Sequence, residues 1–222
     1  SGAAAAGAAG AGESARPTVV WDAGNRRPQP PARPVYNVTE LVFFGRLEAR
    51  KGLEVFCDAV SELAASDLWP AGASVSFLGS DRTMVGGVDG GTYARRRAAE
   101  WEAHGVRAEV RTGLDAREAV AYVLGGPRLA VLPSLYENSP LSLKELMAAG
   151  VPLVASIAGG VPEAVAREDH TASLVPPTRN ALAAKLLEAL RHGAQAPRPA
   201  SDATAVEERW VRWHGALAAG GG

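Results

Sequence analysis

Two glutamates, Glu137 and Glu145, stand eight residues apart in the stretch Pro133-Ser134-Leu135-Tyr136-Glu137-Asn138-Ser139-Pro140-Leu141-Ser142-Leu143-Lys144-Glu145. Ser139 is a residue type that caps helix starts, and Pro140 suits a first helical position. Gly150 and Pro152 mark where that helix stops. The spacing therefore predicts Glu137 in a loop and Glu145 in the second turn of the helix behind it. Helical side chains lean toward the N-terminus, so both carboxylates are expected to border one pocket. Leu143, Leu146 and Met147 form the opposite stripe, turned to the core. A helix start offers free N–H groups to an anion such as phosphate. Carboxylates repel phosphate but accept hydrogen bonds from hydroxyls. A ligand that joins sugar and phosphate meets both demands.

Two more groups of residues fit such a ligand. Arg46 in Gly45-Arg46-Leu47 and Lys51 before Gly52 can clamp a diphosphate. The plainer alternative is a pair of solvated charges among Glu48, Arg50 and Glu54. Ser156-Ile157-Ala158-Gly159-Gly160-Val161-Pro162-Glu163 carries two glycines that let backbone approach a ligand closely. Glu163 either joins that site or simply opens a short helix, where an acid favours the dipole. His104, His170, His192 and His214 are scattered without metal-ligand spacing, so no metal is expected. Cys57 lies in an apolar helical pattern and reads as a core residue, not a nucleophile.

These residues need elements to hold them. The chain has 222 residues, 47% of them hydrophobic, and a formal net charge of -1. That balance suits a globular fold and gives no basic excess for nucleic acid. No apolar run reaches the roughly 18 residues that span a bilayer, and no signal peptide is recognised, so a cytoplasmic setting is expected. Residues 1–36 read as a flexible linker, with disorder before about residue 33 and a short strand over 18–21. Strands are expected over 41–44, 74–78, 108–111, 129–132, 151–155 and 173–175. Helices are expected between them over 51–65, 92–104, 115–124 (capped by Asp115), 140–149 and 161–167, with another capped by Thr178 and running to about 191. A long glycine-rich loop fills 79–91. Residues 194–222 form a linker and a terminal helix over 207–218, whose Trp210 and Trp213 read as packing residues. Alternating strands and helices imply an α/β domain over residues 37–193, with a Rossmann-like, doubly wound and mainly parallel sheet. Ligands then sit outside the carboxyl ends of the strands.

The ordered set Gly45-Arg46-Leu47 with Lys51-Gly52, Pro133-Ser134 with Glu137 and Glu145, Ala149-Gly150-Val151-Pro152, and Gly159-Gly160-Val161-Pro162-Glu163 resembles the C-terminal domain of the retaining "group 1" glycosyltransferases, one half of the GT-B fold. The resemblance covers residues 41–191. It implies transfer of a sugar, with retention, from a nucleoside-diphosphate sugar to an acceptor hydroxyl, without a metal or other cofactor. Arg46 and Lys51 would bind the diphosphate, beside Gly45. Glu137 would contact the sugar and Glu145 the ribose. Asn138, Ser139, Pro140 and Leu141 would meet phosphate and sugar through backbone groups. Thr112, Gly113 and Leu114 would border the base. The resemblance also implies a partner, an N-terminal Rossmann-like domain of the same protein that carries the acceptor site. Any peripheral membrane contact would run through that domain, and without it the chain is expected to be inactive alone. The other readings are a stand-alone nucleotide-sugar-binding module, and half of a GT-B epimerase or phosphorylase. Two departures stand out: Lys144-Glu145-Leu146-Met147-Ala148 where Glu-Ala-Met-Ala is common, and His170-Thr171-Ala172 where a glycine usually precedes the last strand.

Overall fold

The computed structural model describes residues 20–21, 28–29, 34–82, 87–201 and 203–219. The chain divides into two units, Ser1–Pro34 and Val35–Gly222. In the first, β1 (Val20–Trp21) pairs antiparallel with β2 (Pro28–Gln29). The disorder expected before residue 33 falls largely outside the described residues.

The second unit is built on a six-stranded sheet in which every pair is parallel. Its strands are β3 (Glu40–Phe44), β4 (Ser74–Leu78), β5 (Arg107–Arg111), β6 (Arg128–Leu132), β7 (Leu153–Ser156) and β8 (Leu174–Val175). Their order across the sheet is β5-β4-β3-β6-β7-β8. The chain thus builds outward from β3 in one direction, then returns to lay β6 on its other side and builds the opposite way. The loops after β3 and β6 diverge at this switch point and leave a crevice between them.

Leu41, Val42 and Phe43 are all 0% exposed, because this central strand is covered on both faces. Alternate side chains feed two cores. Leu41, Phe43, Phe77 and Trp101 pack with α1 (Leu53–Ala65), α2 (Gly90–Glu102) and α7 (Arg179–His192). Val42, Ala130, Leu153 and Val161 pack with α3 (Ala116–Leu124) and α4 (Leu141–Ala148). The stripe Leu143, Leu146 and Met147 is buried as the helical period requires. Asp115 and Glu118 make a reciprocal capping box at the start of α3. Gly150 ends α4 with φ of 72°. Cys57 is buried, and burial pushes its thiol far above the ordinary value.

Several local expectations need correction. Pro140, not Ser139, is the N-cap of α4, and no side chain caps that helix. The ring fixes Pro140 at φ of -76°, but its ψ of 85° keeps it outside the helix. α2 opens two residues earlier than expected, because the Asp89 side chain accepts a hydrogen bond from the Thr92 amide. α5 (Val161–Ala164) stops well short of residue 167, and a 3-10 turn over Arg167–Asp169 follows it. Residues 170–172 with Ser173 form α6 (His170–Ser173), so the last strand begins at Leu174. The terminal helix α8 (Ala203–Ala219) starts before residue 207. Trp210 and Trp213 on it pack on one another and on His214, in keeping with their reading as packing residues, and are 56% and 55% exposed. Among the described residues no helix is long and apolar enough to cross a membrane.

Candidate functional site

The crevice at the switch point is closed from below by backbone packed on backbone. Gly52 has φ of 75°, and a Cβ there would lie 1.9 Å from the carbonyl oxygen of Pro133. Only glycine permits that approach, which presses the loop after β3 against the loop after β6. The Leu135 amide then donates to the carbonyl of Arg50 at 2.9 Å, and the Arg50 guanidinium donates to the carbonyl of Tyr136 at 3.3 Å. On the other side, Gly159 has φ of 51° and would place a Cβ 1.7 Å from the carbonyl oxygen of Glu137. The Gly160 amide donates to that same oxygen at 3.2 Å. The loop that carries Glu137 is therefore held between two glycine turns, one at Pro133 and one at Glu137 itself.

Its carboxylate meets Lys51, whose ammonium donates to Oε1. Ser134 Oγ donates to the same oxygen at 2.8 Å. Ser134 is fixed in turn, since Ser156 Oγ donates to its carbonyl. The Lys51 and Glu137 side chains keep only 19% and 11% exposure. Burial opposes the charge on Glu137. The hydrogen bonds from Lys51 and Ser134, with the positive charges of Lys51 and Arg50, outweigh it and hold the carboxyl below its ordinary range. Just beyond, the start of α4 has no side-chain cap, so its first amides remain available to a ligand. The crevice thus offers an ionised carboxylate, a half-buried ammonium and the positive end of a helix dipole. That set can accept hydroxyls and donate to phosphate oxygens.

The profile of the family described as "Glycosyl transferases group 1" matches residues 39–192. The chain belongs to this family. A glycogen synthase of Mycobacterium tuberculosis is 33% identical over 169 residues, which are 76% of this chain and 38% of that enzyme. An MMP alpha-(1->4)-mannosyltransferase of Mycolicibacterium hassiacum is 45% identical over 60 residues, 27% of this chain and 15% of that protein. Among solved structures, the sucrose-phosphate synthase of Thermosynechococcus elongatus superposes with a TM-score of 0.52 at 27% identity, over 70% of this chain and 37% of that one. The chain spans well under half the length of these relatives. The C-terminal domain of a group 1 glycosyl transferase from Francisella tularensis, at 19% identity and a TM-score of 0.53, shares the fold over 71% of this chain and 77% of that domain.

In this glycosyltransferase domain the expected site residues fall into three places. Gly45, Lys51 and Glu137 lie at the switch point, with Asn138, Ser139, Pro140 and Leu141 leading from it into α4. Arg46 is close in sequence but exposed, and it pairs with Glu48 at 3.1 Å. Glu145 is exposed on the flank of α4 that faces α3, in a groove with Ala116, Arg117 and Val120. Glu137 is not among the residues that line this groove. Thr112 and Gly113 are exposed and Leu114 half-buried, beyond the edge strand β5. Among the described residues no three His, Cys, Asp or Glu side chains gather as a metal site. Sequence reasoning gave no role to Ser134, Ser156 or Arg50. Ser134, three residues before Glu137 in the same loop, was the one within reach of a local reading.

Proposed function

We propose that this chain is the donor-binding domain of a retaining glycosyltransferase, which moves a sugar from a nucleoside-diphosphate sugar to an acceptor hydroxyl. The observation that carries this reading is the Lys51–Glu137 pair, set at the switch point directly before the uncapped start of α4. The pairing holds the Glu137 carboxyl below its ordinary range and so keeps it ionised. An incoming diphosphate meets Lys51, the α4 amides and, after a change of rotamer, Arg46, which lies in the same loop. Glu137 accepts from a sugar hydroxyl, and backbone groups from Asn138 to Leu141 line the path between phosphate and sugar. Glu145, in the adjoining groove, takes the ribose hydroxyls, and Thr112, Gly113 and Leu114 border the base.

In the reaction the bond from the anomeric carbon to the diphosphate oxygen breaks. A bond to the acceptor oxygen forms on the same face, and the acceptor's proton passes to the leaving diphosphate oxygen. This domain's share of the catalysis is to offset charge on the leaving diphosphate, which cations and a helix start do without a bound metal. The acceptor is assigned to an N-terminal Rossmann-like domain of a longer protein, in keeping with the share of the relatives' length that this chain spans. A cytoplasmic setting belongs to the proposal, in keeping with the one buried free thiol, Cys57. The test is calorimetric titration of the chain with UDP, GDP and ADP and their glucose or mannose conjugates. One base should bind at least about tenfold tighter than the others. Equal, millimolar-weak binding of all would reject a donor site.

A further inference from the structure

Behind α5 lies a buried acid that the donor site does not use. Asp169 is 0% exposed, yet it accepts three hydrogen bonds from a single residue far along the chain. The Arg198 amide donates to Oδ2 at 2.8 Å, and its guanidinium donates to Oδ2 and Oδ1 at 3.1 Å each. A buried carboxylate needs such full pairing, since an uncompensated charge in that place is strongly destabilising.

The bonds fix more than themselves. The Ala166 amide donates to the carbonyl of Arg198, and the Ala200 amide to the carbonyl of Ala164, both at 2.8 Å. Val165 and Pro199 form an antiparallel bridge between them. Residues 198–200 therefore run as a strand-like strap along the far end of α5. His170 Nε2 lies 3.0 Å from the carbonyls of both Pro162 and Val165, which sets its tautomer with the proton on that nitrogen and ties the same short helix from below. The near end of α5 is the Gly159–Gly160 turn, and that turn carries the carbonyl of Glu137. Pro199 and Ser201 on one wall and Asn138, Ser139 and Pro140 on the other enclose a cleft of about 680 Å³.

We propose that Asp169 and Arg198 are positioning residues that hold α5, and through it the Gly159–Gly160 turn, so that Glu137 stays in register with the donor sugar. The proposal rests on the sugar-facing role given to Glu137 above. Four residues of helix cannot hold themselves in place, because so short a helix is marginal without tertiary ties. With the strap released, α5 gains freedom, and the first contact to feel it is the one between the Gly160 amide and the Glu137 carbonyl. The strap's hydrogen bonds named above go to α5 and the residues after it, and none of them goes to α4 or the loop after β3.

The experiment uses the 222-residue chain with Arg198→Gln, which keeps the backbone donor to Asp169 and removes the guanidinium. Arg198→Lys is made alongside as a conservative variant, and Glu137→Ala as a control. Amide hydrogen exchange is followed at Gly160 and Val161 and, as a reference for global opening, at Val42 in β3. The dissociation constants for the selected nucleoside diphosphate and for its sugar conjugate are measured on each variant. Arg198→Gln should speed exchange at Gly160 about tenfold with Val42 unchanged, and should raise the conjugate-to-diphosphate ratio about fivefold, with Arg198→Lys between it and the parent. Unchanged exchange at Gly160, or exchange that rises equally at Val42, overturns the proposal and leaves the pair a general stabiliser. Faster exchange with an unmoved ratio also overturns it if Glu137→Ala does move the ratio. If neither variant moves the ratio, the sugar-facing role of Glu137 has failed and the proposal falls with it.

Discussion

At Glu137 the protein settles a conflict between burial and charge. The side chain is 11% exposed, and burial alone would favour its neutral form. Lys51, Ser134 and Arg50 reverse that preference and hold its carboxyl below the ordinary value of 4.5. Near that value the unfolded chain therefore binds more protons than the folded one, and stability rises with pH there. The carboxylate's contribution is fully present above about pH 5 and is lost as pH falls through the lower, folded value. Glu137→Gln removes this linkage. The stability gap between parent and variant, measured by urea unfolding, should shrink from about pH 6 to about pH 3. A gap that stays constant over that range would show that the pairing does not shift the titration. The pairing was not legible in the sequence, because Lys51 and Glu137 lie 86 positions apart and meet only once β3 and β6 are neighbours. The residue types and the two loops were legible; their contact depends on strand order, which local spacing does not encode.

At the level of elements, the turn at Gly159–Gly160 and the start of β3 carry the geometry. Gly159→Ala places a methyl group 1.7 Å from the Glu137 carbonyl at a φ of 51°. The turn must open, so the variant should lose at least about 2 kcal/mol in denaturant unfolding and should bind sugar conjugates less well. Wild-type stability with parental binding would show that the turn does not set Glu137. At the opposite end of β3, Glu40 accepts from Ser76 Oγ and Tyr122 Oη at 2.6 Å and from Arg128 Nε at 2.7 Å. Burial opposes its charge, and these three donors outweigh it and hold the carboxyl low. Glu40→Gln should cost about 2 kcal/mol, less than for a fully buried pair because both partners keep some exposure. It should leave nucleotide binding unchanged, since β3 ends at the proposed donor site and begins here. Loss of binding at full stability would contradict that separation. The central strands were readable from the apolar runs at 41–44 and 129–132, and α3 from Asp115. α6 was not, because His-Thr-Ala-Ser has neither a helical apolar period nor a cap. Nor was the early end of α5, where residues 164–166 pair with 198–200.

Across the whole molecule, the proposed site spans the end of one parallel sheet, with the sugar assigned to the switch point and the nucleotide toward α3 and α4. The alternation of apolar strands and amphipathic helices made the parallel sheet and most of its helices readable between residues 41 and 191. Trp210 and Trp213 read as packing residues, and they pack on one another and on His214 while staying exposed. Helical lean predicts Glu145 and Glu137 at one pocket, whereas Glu145 lines a groove shared with α3. The two carboxylates thus belong to opposite ends of the proposed donor, and this division can be measured. Calorimetry of Glu145→Ala and Glu137→Ala, each with the bare nucleoside diphosphate and with its sugar conjugate, tests it most directly. Glu145→Ala should weaken both ligands about tenfold or more, the loss of a charge-assisted hydrogen bond to ribose. Glu137→Ala should leave the diphosphate within about twofold and weaken only the conjugate. Equal losses on both ligands from both variants, or no loss from either, would contradict a donor site laid across this sheet.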